Sequence, residues 1–289
     1  MRSIKILVTG ATGTVGSGVL AGLIRTGHAV RALTRSPHKL TRHNSKVEIT
    51  EGSLSDKNAA ARAMAGVDAV FLLTPVAPDE TEQGLNGVEA AKAAGVRRIV
   101  YLTVHRLEEG RHIPHFASKI PVVEAIRASG LEYALLEPNN FFQNDLWLED
   151  PIRQFGVYPQ PLGSVGLSRV DARDIADAGV RALTEDGFSG AGWPLVGPDV
   201  LTGEDCARIW SAALGREIQY VGDDLDSWEK QAELMLPPWL VHDLRIMYAH
   251  FQEHGQKAAP EELALSERIT GHPMRRFEDF AAEVAAQWS

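Results

Sequence analysis

The sequence is short of several things, and each shortage excludes a class of protein. A single cysteine, Cys206, stands among 289 residues, so no disulfide can form within the chain. It lies in the helical pattern Glu204–Leu214, where inert packing explains it better than a nucleophilic role. No apolar run approaches the roughly 18–20 residues that a membrane-crossing helix needs. No dense Lys/Arg run appears. The 29 basic residues are outnumbered by 38 acidic ones, for a net charge of -9, which argues against nucleic acid as a partner. His242, His250 and His254 have no cysteine near them and form no His-Glu-x-x-His pattern, so no metal site is expected. No internal repeat or low-complexity tract is visible. The chain opens Met1-Arg2-Ser3 and enters a strand at once, so no signal peptide is expected, and the expected location is the cytoplasm.

What is present is a rhythm of short apolar runs and helical spacings. Ile4–Val8, Ala29–Leu33, Val47–Ile49, Val67–Leu73, Arg98–Leu102 and Tyr133–Leu136 read as strands. Between them Val15–Ile24, Asp56–Ala65, Thr81–Ala94 and Phe116–Ala128 read as helices, with Gly27, Gly95 and Gly130 as stops. Runs apolar on both faces imply a parallel sheet covered by helices on each side. The expected fold class is therefore α/β, a doubly wound parallel Rossmann sheet.

After Pro138 the rhythm changes to an aromatic stretch and a Gly/Pro-rich segment, Gly156–Gly166. Asp171–Leu183 reads as a helix and Trp193–Val196 as a strand returning to the sheet. Thr202–Leu214 reads as a helix, with Thr202 and Asp205 placed as a capping box. Residues 1–150, with a returning segment at about 170–198, are expected to form the dinucleotide-binding domain. Residues 199–289 with 151–169 are expected to form a smaller, mostly helical substrate domain.

The segment Val8-Thr9-Gly10-Ala11-Thr12-Gly13-Thr14-Val15-Gly16 follows a strand and opens a helix. Gly10 permits a sharp turn, Gly13 lets backbone approach a pyrophosphate, and Gly16 lets helix and strand pack closely. The helix N-terminus adds unpaired N–H groups and partial positive charge. Thr12, Thr14 and Val15 complete this cradle. An NAD site carries an acid at the end of the second strand, to bond the ribose 2′-hydroxyl. Here that end reads Arg31-Ala32-Leu33-Thr34-Arg35. Arg35 suits a 2′-phosphate, and His38 and Lys39 could add charge. Arg31 points the other way and is the weaker candidate. The expected cofactor is NADP.

Several stretches resemble the NmrA-like branch of the atypical short-chain dehydrogenase/reductases. They are the glycine turn, Val30–Arg35, Gly66–Leu73, Ala94–Tyr101, Ser129–Tyr133, Asp171–Ala176, Gly197–Thr202 and Leu214–Ile218. The resemblance spans about residues 4 to 220, and no motif covers the last 70 or so. It implies an NADP-binding domain, a smaller C-terminal substrate domain and a cleft between them. Ordinary short-chain dehydrogenases place Tyr-x-x-x-Lys on the helix after the fifth strand, with both side chains on one face. The corresponding run is His115-Phe116-Ala117-Ser118-Lys119. Lys119 matches the lysine that anchors the nicotinamide ribose. His115 stands where tyrosine would be and is the candidate proton donor.

By position, Ser53 and Leu54 are expected to flank adenine, and Thr74 and Pro75 to lie near pyrophosphate and ribose. Thr103 (with His105 as an alternative) and Asn139 are expected at the nicotinamide end. Phe142, Trp147, Trp239 and Tyr248 are candidates to wall an apolar pocket. Three functions fit these residues. The first is an NADPH-dependent oxidoreductase acting on a small apolar quinone, enone, carbonyl or imine. The second is a non-catalytic NADP sensor that binds a protein partner, supported by the missing tyrosine. The third is an isomerase or dehydratase that retains its cofactor. The partner is expected to be a small molecule, with no nucleic acid and no membrane. Oligomeric state is left open, a homodimer included.

Overall fold

The apolar runs pair into one seven-stranded sheet. The computed structural model describes residues 4–43 and 46–288. Its first half runs β1 (Lys5–Thr9), α1 (Thr14–Arg25), β2 (Ala29–Thr34), β3 (Val47–Glu51), α2 (Lys57–Met64), β4 (Ala69–Leu72), α3 (Glu80–Ala93) and β5 (Arg98–Leu102). There follow α4 (Pro114–Ala117), α5 (Ile120–Arg127), β6 (Glu132–Pro138), the two-residue strand β7 (Val157–Tyr158), α6 (Ala172–Thr184) and β8 (Ala191–Leu195). The strand order is β3-β2-β1-β4-β5-β6-β8, every pairing parallel. Successive strands run outward on one side of β1 and then on the other side from β4. The glycine turn after β1 therefore lies at the switch point, where doubly wound sheets leave a crevice. Pro194 is accommodated because β8 is an edge strand.

One face of the sheet packs Val8, Phe71, Val100 and Leu136 against α1 and α6. The other packs Leu7, Val70, Tyr101 and Leu135 against α2, α3 and α5. Two arginines at strand starts are buried by capping helices. Arg31 gives Nη1 hydrogen bonds to the carbonyls of Ala63 (2.7 Å) and Ala65 (2.7 Å) at the end of α2, and pairs with Glu48. Arg98 does the same for Ala182 (3.1 Å) and Glu185 (2.6 Å) at the end of α6. Each satisfies carbonyls that a helix C-terminus leaves unpaired. This removes Arg31 from any ligand role, as the strand alternation suggests.

The expected single helix Phe116–Ala128 is two. Pro121 lacks an N–H and its ring conflicts with the carbonyl four residues back. The chain turns at Ser118–Lys119, and Pro121 sits in the first turn of α5.

The rest of the chain comprises α7 (Gly203–Leu214), β9 (Gln219–Tyr220), α8 (Leu225–Ala232), α9 (Pro238–His254), α10 (Pro260–Thr270) and α11 (Phe277–Trp288). The capping box of Thr202 and Asp205 opens α7 as expected. A second core joins Phe142, Tyr158, Trp210, Tyr248, Phe277 and Phe280. β7 pairs with β9 as a small parallel ladder. Packing does not follow the division expected from sequence everywhere: α10 falls within 199–289 but lies on β8 and α6 of the sheet. No helix among the described residues is long and apolar enough to cross a membrane.

A fully buried ion pair ties the second core to the sheet. Asp145 accepts from Arg169 (2.7 Å), Trp210 Nε1 (2.9 Å), Gln160 Nε2 (3.1 Å) and the Tyr158 hydroxyl (3.2 Å). Arg169 also donates to the Phe141 carbonyl (2.9 Å) and Asn140 Oδ1 (3.0 Å), just beyond β6. Cys206 lies 3.3 Å from Arg169, and burial pushes its thiol up to about 11, so it is protonated and inert. Asp145→Ala is expected to cost about 3–5 kcal/mol, because it strands a buried guanidinium. Urea unfolding of the variant measures this, and a loss under 1 kcal/mol contradicts it.

Candidate active site

The glycine turn shows how its residues are used. Gly10 has φ +62, and a Cβ there would lie 2.6 Å from Leu73 Cδ2. A Cβ on Gly16 would run into the Gly10 carbonyl. These two glycines serve the turn itself. Gly13 differs. It is exposed, and a Cβ there would meet only the Gly10 carbonyl, at 3.4 Å. Its bareness leaves open space in front of the α1 N-terminus. That terminus has Gly13 as N-cap, no side-chain cap and no acid in its first turn. Its positive end and free N–H groups suit a diphosphate. Thr12 and Thr14 are exposed beside it, whereas Val15 is buried behind it.

Arg35 stands exposed just past β2 and forms no ion pair among the described residues. Asp79 lies on the same rim. Hydrogen bonds from Ser55 and Gln83 hold its carboxyl below the usual range, and the Arg35 charge adds to this. Ser53 is half-buried and bonded to Ser55, while Leu54 is core. Pro75 is exposed at the end of β4.

Beyond Pro75 lies a buried polar cluster. Glu80, the first residue of α3 and 1% exposed, pairs with Lys119. It also accepts from Thr74 (2.9 Å) and Ser118 (3.0 Å). The Tyr101 hydroxyl is buried nearby, beside Thr74. Burial works against the Lys119 charge, but Tyr101 and Glu80 outweigh it, and the ammonium sits above its ordinary value. It is a fixed cation. His115 goes elsewhere, its Nδ1 lying 2.5 Å from Asp243 Oδ1 of α9. Asp243 is 3% exposed. The break at Ser118 thus sends the two members of the expected pair to different carboxylates. The His115 Nε2 has no partner among the described residues.

Two expected contacts are not made available. Asn139 is 2% exposed, and its amide donates to Gln256 O (2.7 Å) and His105 Nδ1 (3.1 Å) while accepting from Asn140 N (2.8 Å). With both donors engaged, it cannot orient a carboxamide. His105 completes this clasp through Glu262 Oε1 (2.9 Å), and Gln256 donates to the His105 carbonyl (2.7 Å). Burial lowers the His105 pKa against the pull of Glu262, so the ring is neutral, and the network assigns its proton to Nε2. Thr103 follows strand alternation and shares the α5 face with Tyr101. Its hydroxyl is buried in a recess formed with Glu137, without a hydrogen-bond partner among the described residues. Of the four aromatic candidates, Phe142 and Tyr248 are core, while Trp147 and Trp239 are exposed.

Glu80, Asp243, Gln256 and Glu262 carry much of this arrangement and were not singled out from the sequence. A signal existed for two of them. Glu80 heads the buried stripe Gly84, Gly87, Ala91 on α3, and Asp243 shares the buried stripe of α9 with Met247 and His250. An acid on such a stripe needs a partner.

Comparison with known proteins places these residues in a wider group. The model of the NmrA-like family matches residues 2–280, well past Leu214–Ile218. An NAD(P)H azoreductase from Xenophilus azovorans is 33% identical over 293 residues, covering 97% of this chain and 98% of its own. A (4-alkanoyl-5-oxo-2,5-dihydrofuran-3-yl)methyl phosphate reductase from Streptomyces griseus is 35% identical over 283 residues, covering 97% and 98%. Among solved structures, an NADPH-dependent quinone oxidoreductase from Escherichia coli, complexed with NADPH, superposes with a TM-score of 0.87 at 23% identity. That match covers 96% of this chain and 99% of the other. The fold, the glycine turn and a match along nearly the whole sequence agree: the chain belongs to the NmrA-like family.

Proposed function

We propose that this protein is an NADPH-dependent reductase of a small, largely apolar acceptor such as a quinone, enone, carbonyl or imine. The observation that carries the proposal is the uncapped α1 N-terminus, held open by Gly13 at the switch point of the sheet. Arg35 stands exposed past the neighbouring strand, suited to receive a 2′-phosphate. The azoreductase and the phosphate reductase, both above 30% identity, are named as reductases.

The cofactor would be held by the Gly10–Gly16 turn at its pyrophosphate and by Arg35 at its 2′-phosphate. Ser53 and Pro75 would border it, and Lys119 would hold its nicotinamide ribose. When bound, it supplies a hydride to the acceptor. The chain's part is to orient and to exclude water. Glu80 keeps Lys119 charged and in place. Asp243 fixes the His115 ring, leaving Nε2 to give a proton to a carbonyl or imine as the hydride arrives; a quinone can take its protons from solvent. Residues 151–169 and 199–289, less α10, are the proposed substrate side.

Arg35→Ala is expected to weaken NADPH binding by about 10- to 100-fold, the worth of a charge-assisted bond, and NADH binding little. Calorimetry with both dinucleotides decides, and equal losses remove the 2′-phosphate assignment. Lys119→Met alone strands the buried Glu80 and should unfold readily. Paired with Glu80→Gln it should recover its Tm but not its NADPH affinity; full recovery of affinity would make Lys119 purely structural. His115→Gln should lower kcat for carbonyl or imine acceptors by about 10²–10⁴ and leave quinone reduction nearly unchanged. Tight NADPH binding with no turnover across all four acceptor classes would favour a sensor instead.

A further inference from the structure

One feature of β6 has no part in that scheme. Glu137 lies on the α5 face of the sheet, paired in register with Pro194 of the edge strand, and its carboxylate reaches over Gly192, where a Cβ would collide with it. No donor among the described residues hydrogen-bonds to it. It sits in a recess of about 230 Å³ between α5 and the loop that follows β5, lined also by Thr103, Arg106, Leu107, Val123 and Arg127. The Thr103 hydroxyl and the Arg106 Nε, both buried, are likewise unpartnered. Arg106 is held at φ +54, the one described non-glycine residue with positive φ, a conformation that costs about 1–3 kcal/mol and is kept where surrounding structure demands it. An isolated carboxylate, an orphaned hydroxyl and a strained backbone at one concavity mark a site rather than a packing fault.

The charges around Glu137 select the ligand. The loop brings Arg106, Glu108 and Glu109, α5 brings Arg127, and α10 brings Glu262. Arg106 is already shared by Glu109 and Glu262, each at 3.3 Å. The balance is acidic, which disfavours an anion. Leu107, Val123 and Leu135 offer an apolar wall. The volume falls below the roughly 300 Å³ where drug-sized pockets begin.

We propose that this recess binds a small organic ammonium ion, its N–H groups on the Glu137 carboxylate and the Thr103 hydroxyl and its short apolar body against Leu107, Val123 and Leu135. None of these residues is among those proposed above to hold the dinucleotide. Burial raises the Glu137 pKa to about 7, against the opposing charge of Arg127 and with the help of Glu262. The ammonium ion binds the ionised form, so affinity rises with pH through neutrality.

The test is calorimetry with benzylamine in phosphate buffer at pH 8 and pH 6, with benzyl alcohol and benzoate as neutral and anionic controls. Benzylamine should saturate with a Kd on the order of millimolar, about tenfold tighter at pH 8 than at pH 6, and neither control should compete. Glu137→Gln should abolish the binding while still taking up NADPH, which shows the variant folded and keeps this result apart from the cofactor proposal. If that variant does not fold, the wild-type chain supplies the second readout: benzylamine should move the Glu137 titration, followed by its carboxyl carbon-13 shift, to lower pH. No saturable heat at pH 8, benzyl alcohol binding as well as benzylamine, undiminished binding to Glu137→Gln or an unmoved titration would each overturn the proposal.

Discussion

The Asp145–Arg169 pair is the constraint on which the second half of the molecule depends. It has no access to water, and the two charges are balanced by each other and by Trp210, Gln160, Tyr158, Cys206, Asn140, the Phe141 carbonyl and the Phe277 ring. Such a pair adds little net stability over a well-packed apolar core, but it tolerates one geometry. Its donors and acceptors come from the segment after β6, from β7, from the strand-like approach to α6 and from α7. The pair therefore sets where the second core sits against the C-terminal end of β6.

The site repeats the same logic in smaller form. Lys119 and His115 are each held by a carboxylate from a distant element, Glu80 from α3 and Asp243 from α9. A lysine that is 8% exposed needs a counter-charge to remain cationic, and a histidine needs a partner on one nitrogen to present the other. Pro121 makes this possible. By breaking the helix between the two residues it frees them from sharing a face, so that each can turn to its own carboxylate.

Much of the fold could be read from residues alone because its causes are local. The runs Ile4–Val8 and Val67–Leu73, the stops at Gly27, Gly95 and Gly130, and the Thr202–Asp205 cap all act within a few positions of themselves. The glycine turn is legible for the same reason. The partners of the site residues were not, because they come from far along the chain. Glu80 is 39 residues from Lys119, and Asp243 is 128 from His115. Asn139 shows the limit most clearly. Its position after β6 suggested a ligand contact, and only the arrival of Gln256, 117 residues later, reveals that its amide is spent on the protein. Thr103 was misplaced for a different reason: strand alternation, applied one residue past β5, turns it towards α5 and away from the groove.

The clasp of His105, Asn139, Gln256 and Glu262 bears on how anything enters. It stitches the ends of β5 and β6 to the approach and first turn of α10, and α10 in turn lies on the sheet. A hinge that swung the whole second half outward would have to unlace these buried bonds together, which is costly. Smaller parts are tied down less. The turn between α8 and α9 carries Leu234 and Met235 at about 80% exposure, and α8 buries no residue fully. This short, thinly anchored hairpin lies outside the stitching, so local opening there costs far less than motion of the whole half.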